Sequence, residues 1–146
     1  KINYKFIDID EEIEKEVKMT ISDFFINNRE KEFRILEEKI ATKILKNNKK
    51  YIVALGGGSF ENKRIRDIVL NKNFSIWLKC DLKTLVYRCN NRNTRPLLKD
   101  KNIRSEISKL DKYRKKNYMK SNLIIDVSRK TRSSIIQEII GYLKYE

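Results

Sequence analysis

The sequence predicts a parallel α/β sheet flanked by helices, and three observations carry that prediction. Short β-rich apolar runs alternate with segments whose apolar residues recur at helical spacing. Strands that alternate with helical crossovers run parallel. The third observation is Tyr51-Ile52-Val53-Ala54-Leu55-Gly56-Gly57-Gly58-Ser59-Phe60, a strand-like run that stops in three of the chain's four glycines. Glycine costs roughly 0.5–1 kcal/mol relative to alanine in ordered structure, so three together point to a ligand that must approach bare backbone.

In order along the chain, Tyr4 to Asp8 reads as a strand and Glu11 to Lys18 as a short helix. Thr20 or Ser22 can cap a helix over Ile21 to Asn28. Glu30 to Lys46 carries Phe33, Leu36, Ile40, Ile44 and Leu45 at helical spacing. Tyr51 to Leu55 is β-rich, Lys63 to Leu70 amphipathic, Phe74 to Leu78 a strand and Leu82 to Asn90 a helix. A polar segment with the chain's one proline follows, then a long helix from about Ile103 to Met119, a strand Leu123 to Val127 and a closing helix Ser134 to Tyr145. No repeat, low-complexity tract or linker divides the chain, so residues 1–146 form one domain.

The composition removes several function classes. With 146 residues, 40% of them hydrophobic, the chain can build a real core. No run approaches the roughly 20 apolar residues of a membrane span, and Lys1-Ile2-Asn3-Tyr4-Lys5 lacks the apolar centre of a secretory signal, so a soluble, cytoplasmic protein with no membrane partner is expected. The absence of histidine excludes His-based triads and most zinc sites. Cys80 and Cys89 have no neighbouring ligands in sequence and read as reduced packing residues. Catalysis must rest on carboxylates, cations and backbone. The net charge of +14 permits nucleic-acid binding and equally suits an enzyme of anionic substrates; runs such as Lys46-Asn47-Asn48-Lys49-Lys50 read as solvated faces.

Ligands gather at the carboxyl ends of parallel strands, and two strand ends carry chemistry. Asp8-Ile9-Asp10 closes the first strand, and strand alternation would aim both carboxylates one way, about 6–7 Å apart, with Ile9 on the opposite face. The plainer reading is that Asp there caps the following helix. The triple glycine ahead of a helix offers free backbone N–H groups to a carboxylate or phosphate, against the alternative of a flexible turn. It lacks the spacing and the Gly-Lys-Ser/Thr ending of a Walker A loop. A third cluster, Arg92-Asn93-Thr94-Arg95-Pro96-Leu97-Leu98, can close over phosphates, although an Arg-rich loop is as often a solvated surface.

Taken together, Phe6-x-Asp8-x-Asp10, Glu30-x-x-Phe33-Arg34-x-x-Glu37, Gly56-Gly57-Gly58, Arg95-Pro96-Leu97-Leu98, and then Arg114 and Tyr118 resemble shikimate kinase in order and spacing, from Phe6 to the last helix. The resemblance implies the P-loop kinase fold of the nucleoside monophosphate kinases, with a lid over about 91–102. It implies transfer of the γ-phosphoryl of ATP to the 3-hydroxyl of shikimate in aromatic amino acid biosynthesis. Asp10 would bind the shikimate hydroxyls and accept the reacting proton, and Asp8 would act with Mg2+ and its waters. Arg34 and Arg114 would grip the shikimate carboxylate with the amides of Gly57 and Gly58. Arg95 would reach the ATP phosphates from the lid, and Arg88, Arg129 and Lys130 would lie on the adenine side. The family resemblance also implies a monomer whose partners are ATP and shikimate rather than nucleic acid.

The family opens with a strand, a Gly-x-x-x-x-Gly-Lys-Ser/Thr loop and a helix before its Phe-x-Asp-x-Asp strand, and this sequence starts at Lys1, shortly before Phe6. The expectation is an N-terminally incomplete domain, inactive on its own, with the sheet's middle strand missing. A piece of a longer enzyme, or a loop supplied by another polypeptide, is favoured over a degenerate homologue. Lys18 and Arg29 stand where the family often has glycine, which would alter loop geometry beside the acceptor site. The other readings left open are a non-catalytic homologue, another small-molecule P-loop kinase such as a gluconate kinase, and a basic nucleic-acid-binding module. The last needs exposed aromatics on a basic face, whereas Phe33 and Trp77 sit in apolar patterns.

Overall fold

In the computed structural model of the chain, the described residues are 4–27, 29–47, 49–90 and 102–143. Their elements run β1 (Lys5–Asp8), α1 (Ile9–Val17), α2 (Ile21–Ile26), α3 (Glu30–Leu45), β2 (Tyr51–Ala54), α4 (Lys63–Lys72), β3 (Ile76–Lys79), α5 (Leu82–Asn90), α6 (Ile103–Tyr118), β4 (Leu123–Asp126) and α7 (Arg132–Leu143). A 3-10 turn, Ser59–Glu61, lies between β2 and α4. The strands form two parallel pairs, β1 with β2 and β3 with β4, each joined by helical crossovers, and no hydrogen-bonded pairing links one pair to the other among the described residues.

Local chemistry sets the boundaries. Asp8 ends β1 and caps α1, its side chain accepting the Asp10 N–H, so the helix starts two residues before the expected Glu11. Three acidic residues, Asp10, Glu11 and Glu12, occupy that first turn, where the helix dipole favours negative charge. Lys18 then stops the helix in the left-handed conformation at φ 54°. Of the two expected caps, Thr20 is the one that serves α2: its hydroxyl receives the Asp23 N–H and Asp23 returns the bond to the Thr20 N–H. Asn62 caps α4, and Asn102 caps α6.

The main core lies between the first strand pair and α1 to α4, where Ile9, Ile13, Phe24, Phe33, Ile40, Ala41, Leu45, Phe60, Ile65 and Val69 are buried. Burying each of the larger side chains contributes roughly 1.5–3 kcal/mol. Smaller clusters seat α5 against α6 around Cys89 and Ile107, and α7 against β4 around Ile125. Cys80 and Cys89 are free thiols packed in these clusters, as the sequence predicts. Polar clips align the second strand pair: Ser75 with Asn122 at its start, and the Asp81 N–H with Ser128 Oγ just beyond its end. No described helix is long and apolar enough to cross a membrane.

Candidate active site

The site begins with strand register. Asp8 pairs with Ala54 at the ends of β1 and β2, so Asp8-Ile9-Asp10 and Leu55-Gly56-Gly57-Gly58 leave the sheet side by side. The two aspartates do not alternate along a strand, as expected from sequence. Asp10 belongs to the first turn of α1, and the helical turn rather than the pleat brings it back toward the glycines. Asp8 takes the plainer role as the helix cap, with its Oδ1 2.9 Å from the Asp10 nitrogen.

Each of the three glycines leaves room for charged side chains, two at Gly56 and one each at Gly57 and Gly58. A Cβ on Gly56 would come within 3.1 Å of both Asp10 Oδ1 and Glu37 Oε1. On Gly57 it would meet Arg114 Nη1 at 3.0 Å, and on Gly58 it would meet Arg34 Nη1 at 2.7 Å and Cζ at 3.0 Å. None of these glycines has positive φ, so the requirement is close approach rather than a backbone conformation closed to other residues. Asp10, Arg34 and Arg114, on α1, α3 and α6, thus converge on one turn. The amides of Gly57 and Gly58 donate to no acceptor among the described residues. Two guanidinium groups beside two open N–H groups make an anion receptor.

A charged residue within the buried stripe of α3 fixes part of it. Glu37 is 1% exposed, and it receives hydrogen bonds from Arg34 Nη1 at 2.8 Å and from the buried Ser59 hydroxyl at 2.5 Å. Glu30 holds the other edge of the Arg34 guanidinium at 3.2 Å, and Phe33 lies beneath it with the ring centroid 5.1 Å from Cζ. Burial works against the Arg34 charge, but the Glu37 hydrogen bond and charge, with those of Glu30, hold its pKa above the ordinary value. Arg114 has no ion-pair partner among the described residues, which leaves its charge available. Tyr118, one turn along α6, donates to the Gly57 carbonyl at 2.5 Å and packs between Phe60 and Trp77.

Asp10 is the carboxyl of the group whose pKa is clearly displaced. Burial, followed by the charges of Asp8, Glu37 and Glu14, raises its pKa from 3.8 to about 6 against the opposing pull of Arg34. Its Oδ1 is buried and accepts no hydrogen bond among the described residues. An unsatisfied buried acceptor costs about 1–3 kcal/mol, a cost that a ligand hydroxyl would remove. Asp8 and Asp10 are hard oxygen donors, and no three His, Cys, Asp or Glu residues come together as a metal cage among the described residues. That donor set fits a largely hydrated magnesium.

The remaining expected site residues are less gathered. Arg95, and with it residues 91–101 of the expected lid, lies outside the described residues. Arg88 donates weakly to the Val127 carbonyl at 3.4 Å, beside the Ser128-Arg129-Lys130 segment that follows β4. Lys130 is engaged with Glu138 of α7 at 2.5 Å, which gives it a structural partner. Arg29, expected to disturb a loop normally shaped by glycine, has φ −96° and needs no glycine; its side chain pairs with Glu32 and lies over Phe24. Glu37 and Ser59 take no role in the reading of the sequence. The detectable signal for Glu37 was a carboxylate in an otherwise apolar helical stripe, three residues after Arg34.

Comparison with known proteins follows the same lines. A family model described as shikimate kinase matches residues 1–144. The chain is similar to shikimate kinases of Bartonella henselae, 42% identical over 140 residues, and Bartonella quintana, 38% identical over 135 residues. Those matches cover 96% and 92% of this chain, which spans only 66% and 64% of the two relatives' own lengths. Its fold is similar to that of Acinetobacter baumannii shikimate kinase solved in complex with shikimate, with a TM-score of 0.90, 23% identity, and 97% of this chain and 79% of that one covered.

Proposed function

The chain belongs to the shikimate kinase family, and from that premise we propose that the protein transfers the γ-phosphoryl group of ATP to the 3-hydroxyl of shikimate. The observation that carries the reading is the seating of Asp10, Arg114 and Arg34 against Gly56, Gly57 and Gly58 in turn. Two guanidinium groups and two open amides suit an acceptor with a carboxylate, and a neutral sugar would leave that charge uncompensated. Charge favours shikimate over an uncharged sugar; over gluconate, itself a carboxylate, the preference rests on position, because the hydroxyl-binding carboxylate of Asp10 faces the same glycine turn.

In the proposed reaction Arg34 and Arg114 hold the shikimate carboxylate, assisted by the Gly57 and Gly58 amides. Asp10 Oδ1 accepts a hydrogen bond from the acceptor hydroxyls. The 3-hydroxyl oxygen bonds to the γ-phosphorus as the bond to the bridging β,γ-oxygen breaks, ADP departs, and the hydroxyl proton passes to Asp10. A carboxyl with a pKa of about 6 is basic enough to take that proton and is ionised at neutral pH. Asp8 would hold magnesium through the ion's waters, and magnesium would offset charge on the phosphoryl oxygens. Arg95 is assigned to the ATP phosphates from a lid over about 91–102, and Arg88 and Arg129, with Lys130 in a lesser role, to the adenine side. We assign the protein to the cytoplasm as one monomeric domain, with no membrane or nucleic-acid partner. Phe33 is buried in the core and Trp77 packs against Tyr118, so neither of these aromatics is offered to a nucleic acid, whereas Tyr87 and Tyr113 are exposed.

A coupled assay of ADP release on the protein as encoded at full length tests the reading, with shikimate and gluconate as competing acceptors. Turnover with shikimate is expected, and its absence would refute the assignment. Arg34→Ala and Arg114→Ala should each raise the KM for shikimate about 10- to 100-fold with little change in the KM for ATP, as the loss of a charge-assisted contact requires. Equal weakening toward both substrates would place the arginines elsewhere.

A further inference from the structure

Two buried side-chain oxygens have no hydrogen-bond partner among the described residues, Asp10 Oδ1 and Glu61 Oε1. The first belongs to the acceptor site; the second has no role so far. Glu61 closes the 3-10 turn into which the three glycines lead, its N–H donating to the Gly58 carbonyl at 3.0 Å. Its second oxygen, Oε2, receives a hydrogen bond from Asn117 Nδ2 at 2.8 Å, across 56 residues of sequence. Asn117 stands three residues after Arg114 on α6, on the same side of the helix, and directly before Tyr118. The backbone under Glu61 is itself held, because Arg66 Nη1 donates to the carbonyls of Phe60 and Glu61 at 2.8 and 3.1 Å.

An apolar residue at position 61 would avoid desolvating a carboxylate. We propose that Glu61 is a positioning residue for the acceptor site: through Asn117 it fixes α6 against the glycine turn, so that Arg114 and Tyr118 stay on Gly57. This rests on the acceptor reading given above. The Tyr118 hydroxyl on the Gly57 carbonyl also joins the helix to the turn, and a hydrogen bond at one point does not by itself fix the helix's rotation about it. The Glu61–Asn117 bond supplies a second point one residue away along the helix. Two points define a register where one does not.

The test uses the full-length protein and two readouts. Glu61→Ala and Asn117→Ala should each raise the KM for shikimate about five- to tenfold, with kcat and the KM for ATP within about twofold of wild type, the scale of one lost hydrogen bond to a charged group. The double variant should be no worse than either single one. Glu61→Gln keeps an oxygen to accept from Asn117 and should restore most of the affinity. The second readout needs no turnover: Trp77 packs against Tyr118 with ring centroids 5.5 Å apart and planes tilted by 53°. Its fluorescence should therefore change in both alanine variants and remain that of wild type in Glu61→Gln. Additive losses, parallel rises in both KM values or an unresponsive Trp77 would overturn the inference. A wild-type protein that ignores shikimate, combined with a responsive Trp77, would instead refute the acceptor reading and leave the helix-positioning role of Glu61 supported.

Discussion

Arg34 and Glu37 form an ion pair with one wet end and one dry end. The Arg34 side chain is 34% exposed and that of Glu37 2%, with 2.8 Å between Nη1 and Oε2. The carboxylate could not be buried there without the arginine and the Ser59 hydroxyl. The arginine, in turn, is held at Gly58 by a partner that water does not reach. Glu37→Ala should destabilise the fold by about 2–4 kcal/mol, because a partly buried guanidinium and a buried hydroxyl lose their acceptor together. Urea denaturation measures this, and a loss below about 0.5 kcal/mol would mean that the pair is no stronger than a surface salt bridge.

Gly58 and Gly57 should respond unequally to alanine. A methyl group at Gly58 would lie 2.7 Å from Arg34 Nη1 and 3.0 Å from both Cζ and Nη2, so the whole guanidinium must move. At Gly57 the tight contact is with Arg114 Nη1, at 3.0 Å, and Arg114 Cζ and the Tyr118 hydroxyl stay in ordinary contact at 3.9 Å. Gly58→Ala should cut the affinity for shikimate by about tenfold or more and Gly57→Ala by clearly less, as calorimetric titration can measure. The reverse order would argue against Arg34 being the more tightly fixed of the two arginines.

The raised pKa of Asp10 gives a stability prediction with a definite sign. With a folded value of about 6 against 3.8, Asp10 holds its proton more tightly in the folded state than in the unfolded chain. Its ionised form therefore penalises folding above about pH 6, and the penalty fades as pH falls toward about 4, where both states become protonated. Asp10→Asn should stabilise the protein by roughly 1–2 kcal/mol near pH 7.5, allowing for solvent screening of a half-buried group, and by almost nothing near pH 4. The same substitution should abolish most phosphoryl transfer, and in the wild type kcat/KM should fall as pH drops through about 6. Thermal unfolding at the two pH values together with a pH–rate profile checks both halves.

Lys18 is the described non-glycine residue with positive φ, at 54°, where it terminates α1. A left-handed C-terminal residue favours glycine by about 1 kcal/mol. Lys18→Gly should raise stability by about that amount without changing the KM for shikimate, since Lys18 makes no hydrogen bond or ion pair with Asp10, Arg34 or Arg114 among the described residues. A loss of stability would show that the lysine side chain contributes more than its backbone strain costs.

Periodicity and turn chemistry made the architecture legible: Glu30 to Lys46 and Leu82 to Asn90 fold as helices almost to the residue, and Tyr51 to Leu55 enters the glycines as a strand. The gathering of Asp10, Arg34 and Arg114 was legible through resemblance alone, because nothing local in the chain connects positions so far apart. The sequence misleads at Asp10, where strand alternation runs two residues too far; Asp8 competes for the same backbone as a helix cap and wins. Glu37 stands in the motif that carries the resemblance but receives no role there, because charge on an amphipathic helix reads as surface until its neighbours are known. The 3-10 turn at Ser59–Glu61 escaped notice because so short an element has no period.

Tyr118 has a consequence for how the molecule comes apart. Its ring lies between Phe60, which follows the first strand pair, and Trp77 of the second, while its hydroxyl holds the glycine turn. The two strand pairs thus share a residue that also borders the proposed acceptor site, and fluctuations that part them there must undo that seat. Amide exchange in β3 and β4 should accordingly slow when the acceptor binds, although neither strand touches it, making occupancy of the site legible on the far side of the protein.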